Sequence, residues 1–323
     1  MSKAGKHWDD RLSRRLRLRD LRYLIAISEL GSMAKAAASL GVSQPAVSKA
    51  VGDLEDALGA CLLERSPRGV EPTIYGQALI RRGLAVFDEL KLGIGEIEYL
   101  ADPTAGEVRI GCGEAGAAGY LAPVVERFTR QNPRVVLHVV QSIGATLDYR
   151  ELRERKLDLM IGRIPIPFAE DALNAEILFN ENLLVVAGLK STWARRRKVE
   201  LADLVDAPWV ETPSDSQISK LVAQAFNRHG LDAPKARVIT FSMHLRNYLL
   251  TNADFVTSLP SSMVRFANHL SLKALPVDLA IEPRPIAVIT LRGRILSPVA
   301  LRFIECARTV TKPMAARQAI RHA

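Results

Sequence analysis

Cysteine is scarce in this sequence of 323 residues: Cys61, Cys112 and Cys306 are odd in number, far apart and form no C-x-x-C pair. That excludes a disulfide framework and a thiolate zinc site. Histidine is equally sparse, and His7, His138, His229, His244, His269 and His322 show no ligand spacing, so no metal is expected. Nowhere do ~18 apolar residues run uninterrupted, which excludes a membrane-spanning helix. The opening "MSKAGKHWDD" lacks the apolar core of a signal peptide. A cytoplasmic protein with no membrane partner is therefore expected. No Ser-His-Asp set can be assigned, because triad members are neighbours in space and not in sequence.

What is present is an ordinary globular composition, 48% hydrophobic and 24% charged, in a chain long enough for two or three domains. Lys and Arg outnumber Asp and Glu by 44 to 35, a net charge of +9 that suits a polyanionic partner. Arg11, Arg14, Arg15, Arg17, Arg19 and Arg22 crowd the start with Asp20 as the only acid among them. Such an arm suits phosphates or a solvated helix face equally well.

The stretch "GSMAKAAASLGVSQPAVSKAVGDLEDALG" packs two short helical patterns around a break at Gly41. Ser32 is an N-cap for a helix over 33–40, and Gly41 supplies the positive φ that ends it. Ser43 caps the next helix, with Gln44 and Pro45 in its first turn. Val47, Val51, Leu54 and Leu58 recur at helical spacing as one buried stripe, leaving Gln44, Pro45, Ser48 and Lys49 outward. Ala36, Ala37 and Ala38 let two helices cross closely, the geometry of a helix-turn-helix. Gln bonds adenine bidentately and Lys reaches guanine or phosphate, a set that a plain helical hairpin does not need. "LLERSPRGVEPT" then reads as a β-hairpin wing with a basic tip, whose Arg65 and Arg68 would meet phosphates.

"AAASLGVSQPAVSKAVGDLEDALGACLLERSPRGVEPTIYG" resembles the winged helix-turn-helix of the LysR-type transcriptional regulators, following A-A-x-x-L, S-Q-P-A-x-S, L-E-x-x-L-G and L-T-x-x-G almost throughout. Leu63 stands where the family usually has Phe, and Pro72 where Leu is common. The resemblance implies base reading by Gln44, Pro45, Ser48 and Lys49 and phosphate contact by Ser43, Arg65, Arg68 and Thr73. A helical pattern over 74–101 follows, with Leu79, Gly83, Val86, Leu90, Gly93 or Ile94, and Ile97 approximating a coiled-coil seam. Four glycines in that helix, Gly76, Gly83, Gly93 and Gly95, need a reason such as close helix approach. The resemblance makes this the linker helix of a dimer, assembled further into a tetramer on double-stranded promoter DNA, with RNA polymerase as a further partner.

From residue 107 strand and helix alternate, as in an α/β domain. Gly111, Gly113 and Gly116 match G-x-G-x-x-G after a strand, the spacing of a dinucleotide site and of a nicotinamide-dependent enzyme. The next strand, over 135–142, ends in Gln141 and Ser142 and not in the acid that would hold the ribose hydroxyls, which weakens that alternative. This half resembles the family's periplasmic-binding-protein-like effector domain of two subdomains, expected at about 107–178 with 294–312, and at about 179–293. Around these, 1–17 is expected as a basic arm, 18–73 as the winged domain, 102–106 as a hinge and 313–323 as a tail. "ELRERKLDLMIGRI" and "SLKALPVDL" resemble the branch that regulates sugar-binding proteins and aromatic-acid catabolism.

Topology and resemblance together place the effector cleft at strand ends and the turns after them: Cys112, Gly113, Glu114, Ser142, Ala145, Thr146, Arg163, Thr212, Ser214, Ser242 and His244. Arg163 suits an anionic effector unless Glu114 neutralises it. Arg195 to Lys198 reads as a solvated basic loop, and Cys112 as a buried, inert thiol. The expectation is a regulator that is not an enzyme, with no cofactor beyond a small-molecule effector.

Overall fold

The computed structural model describes residues 16–66, 69–141, 149–266 and 271–321. The arginines at 11, 14 and 15, Arg68, Ser142, Ala145 and Thr146 lie outside them, as does the side chain of Arg65. The chain divides into two compact units, 1–94 and 95–323.

In the first unit α1 (Leu18–Leu30), α2 (Met33–Leu40) and α3 (Gln44–Leu58) enclose a core of Leu24, Ile27, Ala36, Val47, Val51, Leu54 and Leu62. Local chemistry sets both boundaries of the turn. The Ser32 and Ser43 hydroxyls accept from the N–H groups of Lys35 and Ala46, each at 3.4 Å. Between them Gly41 takes φ 67° and its N–H returns to the carbonyls of Ala37 and Ala38. Two positions differ from expectation. Leu58, the last residue of α3, is 37% exposed, because the stripe drifts out of the core at the helix end. Ala36 and Ala37 are buried at the helix crossing but Ala38 is exposed.

The wing is an antiparallel pair, β1 (Leu63–Ser66) and β2 (Gly69–Pro72), with Leu63 opposite Pro72. It is fixed to the α1–α2 turn by main chain: Val70 N–H donates to Gly31 O at 3.0 Å. A Cβ on Gly69, whose φ is 128°, would lie 2.6 Å from that same oxygen. The linker helix α4 (Ile74–Ala101) starts at Thr73, whose Oγ1 accepts from Gly76 N–H at 3.1 Å and donates to Cys61 O at 2.7 Å. Its glycines divide in two. A Cβ on Gly76 would fall inside the contact distance of Leu62 O, and one on Gly83 would touch Ile25 and Leu21. Gly93 and Gly95 face open space.

In the second unit one sheet has the order β4-β3-β5-β12-β6: Arg134–Gln141, Ala105–Cys112, Leu159–Arg163, Arg284–Leu291 and Leu173–Glu181. The other is β11-β7-β10-β8-β9: Leu272–Ala274, Leu183–Gly188, Val256–Pro260, Trp209–Glu211 and Ala236–Ile239. In the first sheet β3 pairs parallel with β4 and β5, while β12 runs antiparallel to β5 and β6. Helices α5 (Ala122–Gln131) and α8 (Pro298–Arg321) cover that sheet through Val124, Phe128, Phe303 and Ala307. α6 (Gln217–Arg228) closes the second core with Trp209, Val222 and Phe226, and α7 (Met243–Asn252) packs Met243 and Leu250 on Val186 and Leu259.

The subdomain boundary needs correction. β6 extends the first subdomain to Glu181, and β12 belongs to the first sheet, not to the second subdomain. "PIAVITL" is apolar enough for any interior strand, so its pattern carries no information on which sheet receives it. The hinge is shorter than expected, since Ala105 and Gly106 already pair in β3 with Arg134 and Val135. The segment from 313 is helical to Arg321, with Pro313 inside α8.

Two substitutions separate the demands on glycine. Gly41→Ala is expected to cost about 1 kcal/mol, from positive φ alone, because nothing lies within 4 Å of the new methyl. Gly76→Ala is expected to cost about 3 kcal/mol, from the clash with Leu62 O. Urea unfolding followed by circular dichroism checks both, and equal losses would contradict the close approach at Gly76.

Candidate functional site: an exposed helix end and a cavity

On the first unit Gln44, Pro45 and Lys49 are exposed on the opening turns of α3, Ser48 is half-buried, and the opposite face of the helix fills the core. Among the described residues no hydrogen bond or ion pair engages these outward side chains. Arg17, Arg19 and Arg22 are exposed along α1, and Asp20 is buried with Arg19 Nε 3.2 Å from its carboxylate. Ser43 keeps its proton, because its oxygen acts as an acceptor in the cap. Thr73 does not: its proton goes to Cys61 O, so the expected phosphate contact has no hydroxyl donor left, and the residue serves as the cap of α4.

The second unit holds a cavity of about 440 Å³. Of the expected cleft residues, Gly113, Glu114, Arg163 and Thr212 line it. Cys112 lies behind the wall, fully buried, with Sγ 3.7 Å from the Tyr120 hydroxyl, and burial pushes its thiol up to about 12. Such a thiol is inert at neutral pH. Ser214, Ser242 and His244 are exposed and do not line the cavity. Ser242 instead caps α7, accepting from Leu245 N–H at 3.3 Å. The physical reason is side-chain direction: Thr212 and Ser216 turn inward around an outward Ser214, and Met243 and Arg246, three apart on α7, share a face that His244 leaves. That three-residue spacing was the signal for Arg246, which sequence reasoning missed together with Tyr120, Tyr149, Glu170, Glu181 and Phe241.

The charges in the wall are unequal in their commitments. Glu114 Oε1 accepts from Met243 N–H at 3.1 Å, and Glu170 is paired with Arg153. Glu181, 1% exposed, receives Ser261 Oγ at 2.6 Å, Ser262 N–H at 2.9 Å and Ser262 Oγ at 2.8 Å. Arg163 makes no hydrogen bond or ion pair among the described residues; burial lowers its pKa, against the opposing pull of Glu181. Glu114 is therefore engaged by Met243 and does not pair with Arg163, whose guanidinium has no hydrogen-bond partner among the described residues.

Beneath the cavity Arg246, 2% exposed, donates to Thr257 Oγ1 and to Ser258 O at 3.0 Å. Its Nε has no partner, and neither has either oxygen of the buried Glu211 nearby. Burial pushes the Glu211 carboxyl up to about 7, in spite of the Arg246 charge. The glycine motif has a packing explanation. Gly111 lies within β3, where a Cβ would strike Leu157 and Met160, and a Cβ on Gly116 would strike the Tyr120 hydroxyl. Arg195 to Lys198 is exposed, with Arg196 over the Trp193 ring at 4.3 Å and Lys198 on Glu200 at 2.5 Å.

Residues 101–312 match the LysR substrate binding domain, and residues 18–77 match the bacterial regulatory helix-turn-helix of the LysR family. The chain belongs to the LysR family of transcriptional regulators. It is 31% identical over 302 residues to the regulator GbpR of Azospirillum brasilense, covering 93% of this chain and 88% of that protein. It is 29% identical to the regulator GalR of Pseudomonas putida, covering 90% and 73%. Among solved structures it is similar in fold to full-length CbnR complexed with its target DNA, with a TM-score of 0.62, 21% identity and coverage of 91% and 100%. A full-length OxyR variant from Pseudomonas aeruginosa gives 0.64, 21%, 92% and 95%. The LysR architecture thus comprises a DNA-binding winged helix-turn-helix, a linker helix and an effector-binding α/β domain of two subdomains.

Glu211 is expected to give this domain a pH dependence. An acid with a pKa of about 7 when folded and 4.5 when exposed binds more protons in the folded state, so stability falls as pH rises through that interval. Glu211→Gln is expected to remove the slope, gaining about 3 kcal/mol on wild type between pH 4 and pH 8. Melting curves of both proteins across that range check it, and parallel profiles would contradict a neutral buried carboxyl.

Proposed function

We propose that this LysR regulator reads promoter sequence with Gln44, Pro45, Ser48 and Lys49, aided at phosphates by Ser43, Arg65 and Arg68, and that a small effector in the α/β cavity modulates its DNA contact. The observation that carries the reading is the division of α3. One face is consumed by the core and the other presents, at the end that enters a major groove, side chains that hydrogen-bond base edges. Val86, Leu90, Ile94, Ile97 and Leu100 supply an apolar stripe on α4 that is 41% to 82% exposed in the single chain. A second copy covering that stripe gives the dimer, with two recognition helices for two half-sites, and pairs of dimers give the tetramer. The effector acts by binding unequally to two arrangements of the regulator, which changes the promoter DNA offered to RNA polymerase. The work is regulatory and cytoplasmic, with no catalytic step.

Sequencing the genomic fragments that the purified protein retains at physiological salt tests DNA reading directly. A few promoters sharing an interrupted palindrome are expected, whereas uniform retention would overturn base reading. Gln44→Ala should cost about 1 to 3 kcal/mol at such a site and relax preference at one base, with little change on random DNA. Leu90→Glu together with Ile97→Glu should yield monomers in sedimentation and weaken binding to the full palindrome far more than to a half-site. An intact dimer would remove α4 from the interface.

A further inference from the structure

The hydrogen-bonding capacity of the cavity is lopsided. Its three described carboxylates, Glu114, Glu170 and Glu181, each already receive a donor from the protein. Glu114 and Glu170 are half-buried and take one donor each, whereas the groups of the lining that are fully buried and unpartnered can donate. The Tyr149 hydroxyl is buried without a partner in a side chain that is 5% exposed, and Arg246 Nε is buried without one in a side chain that is 2% exposed. Arg163 has no acceptor among the described residues, and it is joined on the wall by Gln217 and Ile218, the first two residues of the 12-residue helix α6. Ser216 satisfies Ser219 N–H, so the amides of Gln217 and Ile218 keep the unmet donors of a helix start, where the dipole favours negative charge. Each hydroxyl of a neutral polyol brings a donor along with its acceptor oxygen, while an ionised acid brings acceptors alone. Arg163 is half-buried, so an anion meets a guanidinium already stripped of part of its water.

Building on the effector reading above, we propose that the effector is a small organic carboxylate, held through its acid group by Arg163 from the first subdomain and by the Gln217 and Ile218 amides from the second. The Tyr149 hydroxyl is a further donor to the acid. The remainder of the molecule lies against apolar wall such as Phe241 and Ile286. Because the donors come from both subdomains, the carboxylate bridges them, and the bound form differs from the free one in how firmly the two are tied.

Two experiments on the full chain test this. In the first, wild type, Arg163→Met and Arg163→Lys are dialysed against a small-molecule extract of the native cells, and retained compounds are identified by mass spectrometry. The proposal expects a carboxylate enriched at least tenfold by wild type, weakly by the lysine variant and not by the methionine variant. Enrichment of a neutral or cationic compound alone, or equal retention by all three proteins, overturns the carboxylate and leaves the effector reading standing. No enrichment by any of them overturns both. The second compares benzoate with its neutral amide, benzamide, at equal ionic strength. Benzoate alone should raise the melting temperature of wild type, saturably, and Arg163→Met should abolish the rise. A rise with benzamide of the same size, no rise with benzoate, or a benzoate rise that survives Arg163→Met overturns the proposal. Unchanged binding of the methionine variant to plain duplex DNA shows that the chain has folded.

Discussion

Where β6 ends and the chain passes from one sheet to the other, the buried Glu181 carboxylate gathers two hydroxyls and one amide from Ser261 and Ser262, at the end of β10 in the second sheet. Ser261 N–H returns to Asn182 O at 2.9 Å, and a Cβ on Gly119 would strike Ser262 Oγ at 2.6 Å, so small residues let the junction close tightly. A carboxylate this deeply buried is tolerable because three donors meet its two oxygens. The cavity inherits its character from that arrangement. Glu181 pulls electrostatically on Arg163 without a hydrogen bond to it, its two oxygens taking three donors at the junction, so the hydrogen-bonding capacity of the guanidinium stays open among the described residues.

Much of the architecture was legible because the relevant physics is local. Ser32, Gly41 and Ser43 declare the helix boundaries of the helix-turn-helix by capping chemistry that involves neighbours three or four residues away. The stripe of Val47, Val51 and Leu54 is likewise a property of one helix. The alternation of strands and helices indicated an α/β domain, and the family match agrees with the residues that carried the resemblance.

The cavity was less legible because its residues are chosen by direction as much as by position. Strand ends gave the right loops and, within them, Gly113, Glu114, Arg163 and Thr212, but Ser214 lies midway between the inward Thr212 and Ser216, and His244 beside the inward Met243, so both turn away from the wall. Arg246 and Glu211 were hidden for another reason: long charged side chains are ordinarily solvated, and only tertiary packing buries this pair. The assignment of β12 to the first sheet required the same non-local information, since the strand is contributed from the far end of the sequence.

The bond between Val70 and Gly31 has a bearing on how such a regulator can change over time. It joins the wing to the helix pair through backbone atoms, and the caps at Ser32 and Ser43 use short hydroxyls, so the framework that spaces the DNA-facing elements does not pass through Gln44, Pro45 or Lys49. Those positions are free to be exchanged with little loss of stability. Under the proposed base reading, a lineage can therefore drift to new operator sequences without first acquiring a sturdier fold, and duplicated copies of the gene can part ways in the promoters they serve.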